Sequence, residues 1–215
     1  MVKPLVGQTA DNLLQLILNR NYEIGEKLPN EFELAQDLNV GRSTIREAVR
    51  SLVTRNILEV RQGSGTYISP KKGVSEDPFG FSLVKDRQSF LDDLDMIRLL
   101  IEPQIATLAS QNISIEQIED FEALVFKIIE AIETNDSRII ALDIDLHTRL
   151  AKYSNNLIFE RLIPILLENQ SDYQKYKSEF ILSYESLLIA MKSRDSIKAH
   201  EAMQKYLFLH KLSKE

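Results

Sequence analysis

Near Ile57 the spacing of apolar residues changes from a helical to an extended period, and this change constrains the fold of residues 1–70 more than any other feature. Ahead of it, Ile45, Ala48, Val49, Leu52 and Val53 recur at helical spacing, which buries one stripe and turns the other outward. Behind it, Leu58 and Val60 alternate with Glu59 and Arg61, "GSG" supplies a turn and "TYI" a returning strand. Gly63 and Gly65 permit the backbone angles of a tight hairpin. Two further helical stretches precede these elements. One runs from about Asp11 to Arg20 on Leu13, Leu14, Ile17 and Leu18. The other opens at Asn30, an N-cap paired with Glu33 in a capping box, and buries Leu34, Ala35 and Leu38. Two helices across the short turn "NVG", followed by a hairpin, form a winged helix-turn-helix pattern.

Residues 71–88 mix Pro, Gly, Ser and charge without a period and are expected to be a linker. Residues 89–215 read as an all-α antiparallel bundle of about six helices, near 90–110, 114–134, 137–153, 157–170, 173–193 and 196–212. Ser114 with Gln117, Asp136 and Asp195 are start signals, and Pro103 and Pro164 are expected to kink or interrupt their helices. The fold class is therefore mainly α, with a small β-hairpin wing.

The chain has 215 residues and a formal net charge of -6, which argues against a nucleic-acid partner until the charge is divided. Residues 1–70 hold 8 Lys+Arg and 8 Asp+Glu, so of the 26 and 32 in the whole chain the remainder holds 18 against 24. Within the neutral part, Arg42, Arg46, Arg50, Arg55 and Arg61 face only Glu47 and Glu59. An i, i+4 stripe of arginines is more often a solvated helix face. Its position after a turn and before a wing favours the major groove of DNA, where the planar guanidinium can take guanine O6 and N7 together or bridge a phosphate. Ser43 and Thr44 at the helix start suit phosphate contacts, and Gln62 and Gly63 at the hairpin tip suit the neighbouring minor groove or backbone. No apolar run reaches the roughly 18 residues of a membrane span, no secretion signal opens the chain, and zero cysteines exclude disulfides and cysteine nucleophiles. A cytoplasmic location is expected.

The stretch "GEKLPNEFELAQDLNVGRSTIREAVRSLVTRNILEVRQGSGTYIS" resembles the winged helix-turn-helix of GntR-family bacterial repressors. Leu28-Pro29, Leu34-Ala35, Arg42, Arg46-Glu47-Ala48 and Gly63/Gly65-Thr66 stand in register with that family's pattern. The resemblance implies DNA contacts from Arg42, Ser43, Thr44 and Arg46, with Gln62 and Gly63 from the wing; Arg50 extends the same face. Two positions depart from the pattern. Phe32 stands where many members carry a DNA-touching arginine, and Gly41 where Ser or Thr is usual.

In "SRIIALDIDLHTRL", Ile139, Leu142, Leu146 and Leu150 form an apolar stripe with Asp143 and His147 beside it and Asp145 opposite. Buried, that pair needs partners, and Tyr184 and Tyr206 lie on the apolar faces of the last two helices. Residues from about 90 to 210 resemble the all-helical C-terminal domain of the FadR subgroup, in which an aspartate and three histidines hold a divalent metal beneath an effector pocket. Arg98 and Glu102, Asp143 with Leu146, His147 and Leu150, and Ala190, Asp195, Ala199 and Met203 fit its motifs. Tyr184 and Tyr206 occupy two of its histidine positions. A phenol with pKa near 10 must lose a proton to bind zinc or nickel well, so the metal is expected to be absent or weakly held, with Asp143 and His147 as residual ligands and His210 as a rescuer. The four side chains are expected to form a hydrogen-bonded polar floor. His200 reads as a surface residue.

These features imply a transcription regulator, not an enzyme, that binds a palindromic double-stranded operator as a homodimer and answers a small effector. The resemblance suggests a carboxylate metabolite paired with Arg98, whose other reading is a helix-packing ion pair. Two rivals remain at this stage: an effector-free regulator whose bundle only dimerises, and a metal-dependent enzyme built on Asp143 and His147.

Overall fold

The computed structural model describes residues 3–75, 77–168 and 178–212. Two compact units divide the chain, Met1–Ser82 and Leu83–Glu215.

In the first unit, α1 (Leu5–Asn19), α2 (Glu31–Asp37) and α3 (Arg42–Thr54) precede β1 (Leu58–Arg61) and β2 (Gly65–Ile68). Leu13 and Ile17 of α1, Leu34 of α2, Ile45 and Leu52 of α3 and the paired Leu58 and Ile68 of the strands close one apolar core. The hairpin is antiparallel, with Arg61 opposite Gly65 at its tip. Its alternation is only half realised, because Leu58 is buried whereas Val60 is 60% exposed. By Val60 the ribbon has run past the helices that cover its base. The segment before α2 lies along the far edge of β2. Leu28 donates to the Thr66 carbonyl at 2.8 Å and Ile68 to that of Glu26 at 2.9 Å, so β2 is paired on both sides and the wing is anchored to the helix-turn-helix. Past Ile68, the Gly73 amide and the Val74 carbonyl both bond Asn56, so this part of the stretch expected as a linker is tied to the end of α3.

Asparagine ends the helices of this unit. Asn21, Asn39 and Asn56 take positive φ of 54°, 50° and 53°, and the amide of the next residue turns back to a carbonyl five positions earlier: Tyr22 to Ile17, Val40 to Ala35, Ile57 to Leu52. Asparagine tolerates the left-handed region that closes such a cap.

Among the described residues, the elements of the second unit are helices: α4 (Arg87–Asn112), α5 (Ile115–Thr134), α6 (Ile139–Tyr153), α7 (Leu157–Glu168), α8 (Ser178–Ser193) and α9 (Ser196–Leu212). The expected spans 157–170 and 173–193 run partly through 169–177, which lie outside the described residues. Asp86 caps α4, Ser114 and Gln117 form a full capping box on α5, and Asp195 accepts the Lys198 amide at the start of α9. Asp136 lies before α6 and bonds Arg138, but Arg138 is the cap residue there. Pro103 and Pro164 sit inside α4 and α7, so neither interrupts its helix. α4 packs against α6, α8 and α9, and α5 against α6 and α8. α4, α6, α8 and α9 thus bring their polar residues to one buried centre.

Candidate nucleic-acid interface and buried polar centre

Arg42, Ser43, Arg46 and Arg50 are exposed on α3, Thr44 is half-buried, and Ile45, Ala48, Val49 and Leu52 face the core. One turn of α2 organises the arginines. Asn30 accepts the amides of Phe32 and Glu33 at 2.9 and 3.0 Å while Glu33 accepts the Asn30 amide at 2.9 Å. This closed capping box fixes the residues between. Glu31 receives Arg46, with Nη2 2.9 Å from Oε2, and the Phe32 ring lies 4.7 Å from the centre of the Arg42 guanidinium. Arg50 pairs with Glu47 on its own helix at 2.8 Å. Glu31 is half-buried and the other partners are exposed, so the ion pairs hold geometry more than stability.

Gly41 is the N-cap of α3, and lacking a side chain it makes no capping hydrogen bond. The first-turn amides beside Ser43 and Thr44 therefore have no side-chain acceptor at the cap, and the positive end of the helix faces outward. At the wing, the Ser64 amide bonds the Arg61 carbonyl at 2.9 Å, Gly63 has φ 71°, and Gln62 and Gly63 are exposed at the tip. Arg61 lies over the Tyr67 ring at 4.0 Å and pairs with Glu59. Sequence reasoning missed Glu31, because nothing in its own neighbourhood announces a partner fifteen residues away.

In the second unit the sequence-predicted polar residues come together. Asp143 is fully buried and accepts the Tyr184 hydroxyl at 2.7 Å and the Tyr206 hydroxyl at 2.8 and 2.9 Å. His147 stands between two carboxylates: its Nε2 lies 3.5 Å from Asp143 and its Nδ1 against Glu102. Glu102 in turn receives Nε and Nη2 of Arg98. Arg98, the expected effector partner, is completely enclosed and its carboxylate is internal. His210 is buried and stacks on Tyr206 at 6.3 Å. His200, expected at the surface, is half-buried with Nδ1 3.4 Å from the Thr107 hydroxyl.

The charges of Arg98, Glu102, His147 and Asp143 balance when the imidazole is protonated. Burial opposes the imidazolium, but Glu102 and Asp143 together push His147 up to about 9. Burial likewise opposes the Glu102 carboxylate, yet Arg98 and His147 hold it at about 2. The Asp143 carboxylate, also disfavoured by burial, is kept well below the usual range by His147, the Tyr184 hydroxyl and Arg98. Mutual compensation of this kind is what permits charges in a dry interior.

This donor set does not suit a divalent metal. Two phenol protons point into the Asp143 oxygens that would bind the ion. Glu102 and Asp143 also take opposite nitrogens of His147, so the three cannot converge on one point. Among the described residues no group of three or more His, Cys, Asp or Glu is placed to hold a metal.

Comparison with known proteins agrees with both halves of the architecture. Residues 5–68 match the bacterial regulatory proteins of the gntR family, and residues 93–208 match the FCD domain. The solved structure of Streptococcus agalactiae GntR shares 47% identity and a TM-score of 0.90, over 98% of this chain and 100% of that one. The uncharacterized HTH-type transcriptional regulator YcbG of Bacillus subtilis (strain 168) is 26% identical over 211 residues, 95% of this chain and 88% of its own. The HTH-type transcriptional repressor NanR of Shigella sonnei (strain Ss046) is 29% identical over 170 residues, 77% of this chain and 64% of its own.

Proposed function

The chain belongs to the gntR family of bacterial regulatory proteins and carries an FCD domain after its helix-turn-helix, so it is a transcription regulator rather than an enzyme; on that premise we propose that it represses its targets by binding a palindromic operator as a homodimer, and that an effector in the FCD domain relieves that binding. The observation carrying this reading is the single exposed face of α3 on which Arg42, Ser43, Arg46 and Arg50 stand. Arg42 and Arg46 read base edges, Ser43, Thr44 and Arg50 hold phosphates, and Gln62 and Gly63 extend contact from the wing. Two-fold symmetry matches one head to each half-site. The protein works in the cytoplasm, beside the chromosome; among the described residues no helix is long and apolar enough to cross a membrane.

Titrating a fluorescent duplex of the chain's own upstream region should show affinity falling steeply as salt rises, with a scrambled duplex binding more weakly. Arg46→Ala should weaken the specific complex roughly 10- to 100-fold. Equal affinity of the wild type for both duplexes would overturn the reading. Light scattering should give twice the 24.7 kDa chain mass; a monomer would remove the palindrome.

The FCD domain implies a small-molecule effector. A carboxylate effector must compete with Glu102 for the Arg98 guanidinium, and an effector switches the protein only if it binds the two states unequally. A second reading, a bundle that only dimerises, is favoured by the burial of Tyr184 and Tyr206 at its centre. A metabolite panel decides between them: a ligand that raises the melting temperature and releases the duplex supports the sensor.

No metal is needed to hold the polar centre together, since protons satisfy Asp143. Chelation should leave the melting temperature unchanged. The double variant Tyr184→His/Tyr206→His should gain zinc- or nickel-dependent stability of about 2.7 kcal/mol at a hundredfold excess over Kd, read as a rise in melting temperature. A fall in wild-type melting temperature on chelation would reverse this assignment.

A further inference from the structure

The three α3 arginines are held in two chemically different ways. Arg46 and Arg50 each lie against a carboxylate, Glu31 and Glu47, which offsets their charge and competes with DNA for their N–H groups. Among the described residues Arg42 has no carboxylate partner; its guanidinium lies against the Phe32 ring. An aromatic face attracts the cation without neutralising it or taking an N–H donor. Arg42 thus keeps its full charge and its whole donor fork. The ring and Arg42 border an open concavity of about 390 Å³, lined also by Ala35, Gln36, Asn39 and Val40. Without the ring, the arginine can fold into that space.

We propose that Phe32 is a positioning residue that sets base discrimination: it holds Arg42 with its fork outward and fully charged, so that Arg42 is the principal reader of base edges on α3. Phe32 brings no charge of its own and adds no phosphate contact. The closed capping box of Asn30 and Glu33 fixes the backbone from which the ring projects, so its placement is set before DNA arrives. The ring is 48% exposed and outside the core of the unit, so its loss leaves the fold intact. The proposal rests on the DNA-binding reading above.

The test uses the full-length protein on the chain's own upstream duplex and on a scrambled duplex, across a salt series. Phe32→Ala should lose about three- to fivefold on the specific duplex, with unchanged binding to the scrambled one and an unchanged salt slope. Phe32→Tyr, which retains a ring face, should restore wild-type discrimination. Arg42→Ala should lose more, and adding Phe32→Ala to it should cost nothing further, since the ring acts through the arginine. An equal loss on both duplexes, or a Phe32→Ala effect that persists in the Arg42→Ala background, would overturn the proposal. A wild type indifferent to sequence is a separate outcome. It overturns the DNA-binding reading, and this proposal with it.

Discussion

Asp143→Ala is expected to destabilise the helical unit by about 3–5 kcal/mol, the range for removing one partner from a buried charge network. The substitution strips two phenol hydroxyls of their acceptor and takes one of two counter-charges from His147. Glu102 is then the remaining carboxylate beside His147, so the group formed by Arg98, Glu102 and His147 carries a net positive charge in a dry interior. Urea unfolding followed by helical circular dichroism reads the change directly. Tyr184→Phe and Tyr206→Phe each remove one donor and leave the other, and should cost about 1.5–3 kcal/mol, as for a hydrogen bond to a charged group. An Asp143→Ala loss below about 1 kcal/mol would mean that the charges do not depend on one another.

Alkaline pH should act on the same centre through His147. Its pKa rises on folding from 6.5 to about 9, because two carboxylates outweigh the cost of burial. A raised pKa contributes stability that is fully present below 6.5 and is lost as pH climbs through 9. The full contribution corresponds to about 3 kcal/mol at 1.36 kcal/mol per unit. The two carboxylates are depressed, so their contribution is present above the ordinary values of 4.5 and 3.8 and is lost as pH falls, Glu102 through about 2. Stability of the helical unit should therefore be flat between about pH 5 and 6.5 and decline toward pH 10. His147→Gln should be less stable at pH 6 and nearly independent of pH between 7 and 9. A wild-type protein equally stable at pH 6.5 and 9.5 would show that the imidazole is neutral in the fold.

Much of this was legible in the residues, and the gaps have definite causes. The change of apolar period at Ile57 separated helix from hairpin correctly, because each period reports which side chains share a face. It cannot report where a covering element stops, so Val60 was read with Leu58 although only Leu58 reaches the core. Glycine and proline served as boundary signals, whereas this chain stops its helices mainly at asparagine. Reading Asn21, Asn39, Asn56 and Asn135 as left-handed caps would have placed those boundaries. Periodicity turned Asp143, His147, Tyr184 and Tyr206 inward, but Tyr184 and Tyr206 meet Asp143 across 41 and 63 residues of chain. Only the packing of four helices shows that all converge on one carboxylate. Arg98 illustrates the reverse limit: its motif admits both a ligand contact and a helix-packing ion pair, and the fold shows the pair, with its i, i+4 neighbour Glu102.

The two phenols on one carboxylate also govern how this centre can change by inheritance. A lineage altering Tyr184 alone to histidine puts an imidazole where a phenol donated to Asp143 while Tyr206 still donates to the same carboxylate, so the intermediate has neither the paired phenols nor a full set of ligands. The same holds if Tyr206 changes first. Passage in either direction between proton-bonded and ion-bonded chemistry thus runs through a mixed step, and the two positions are expected to be handed down as a pair.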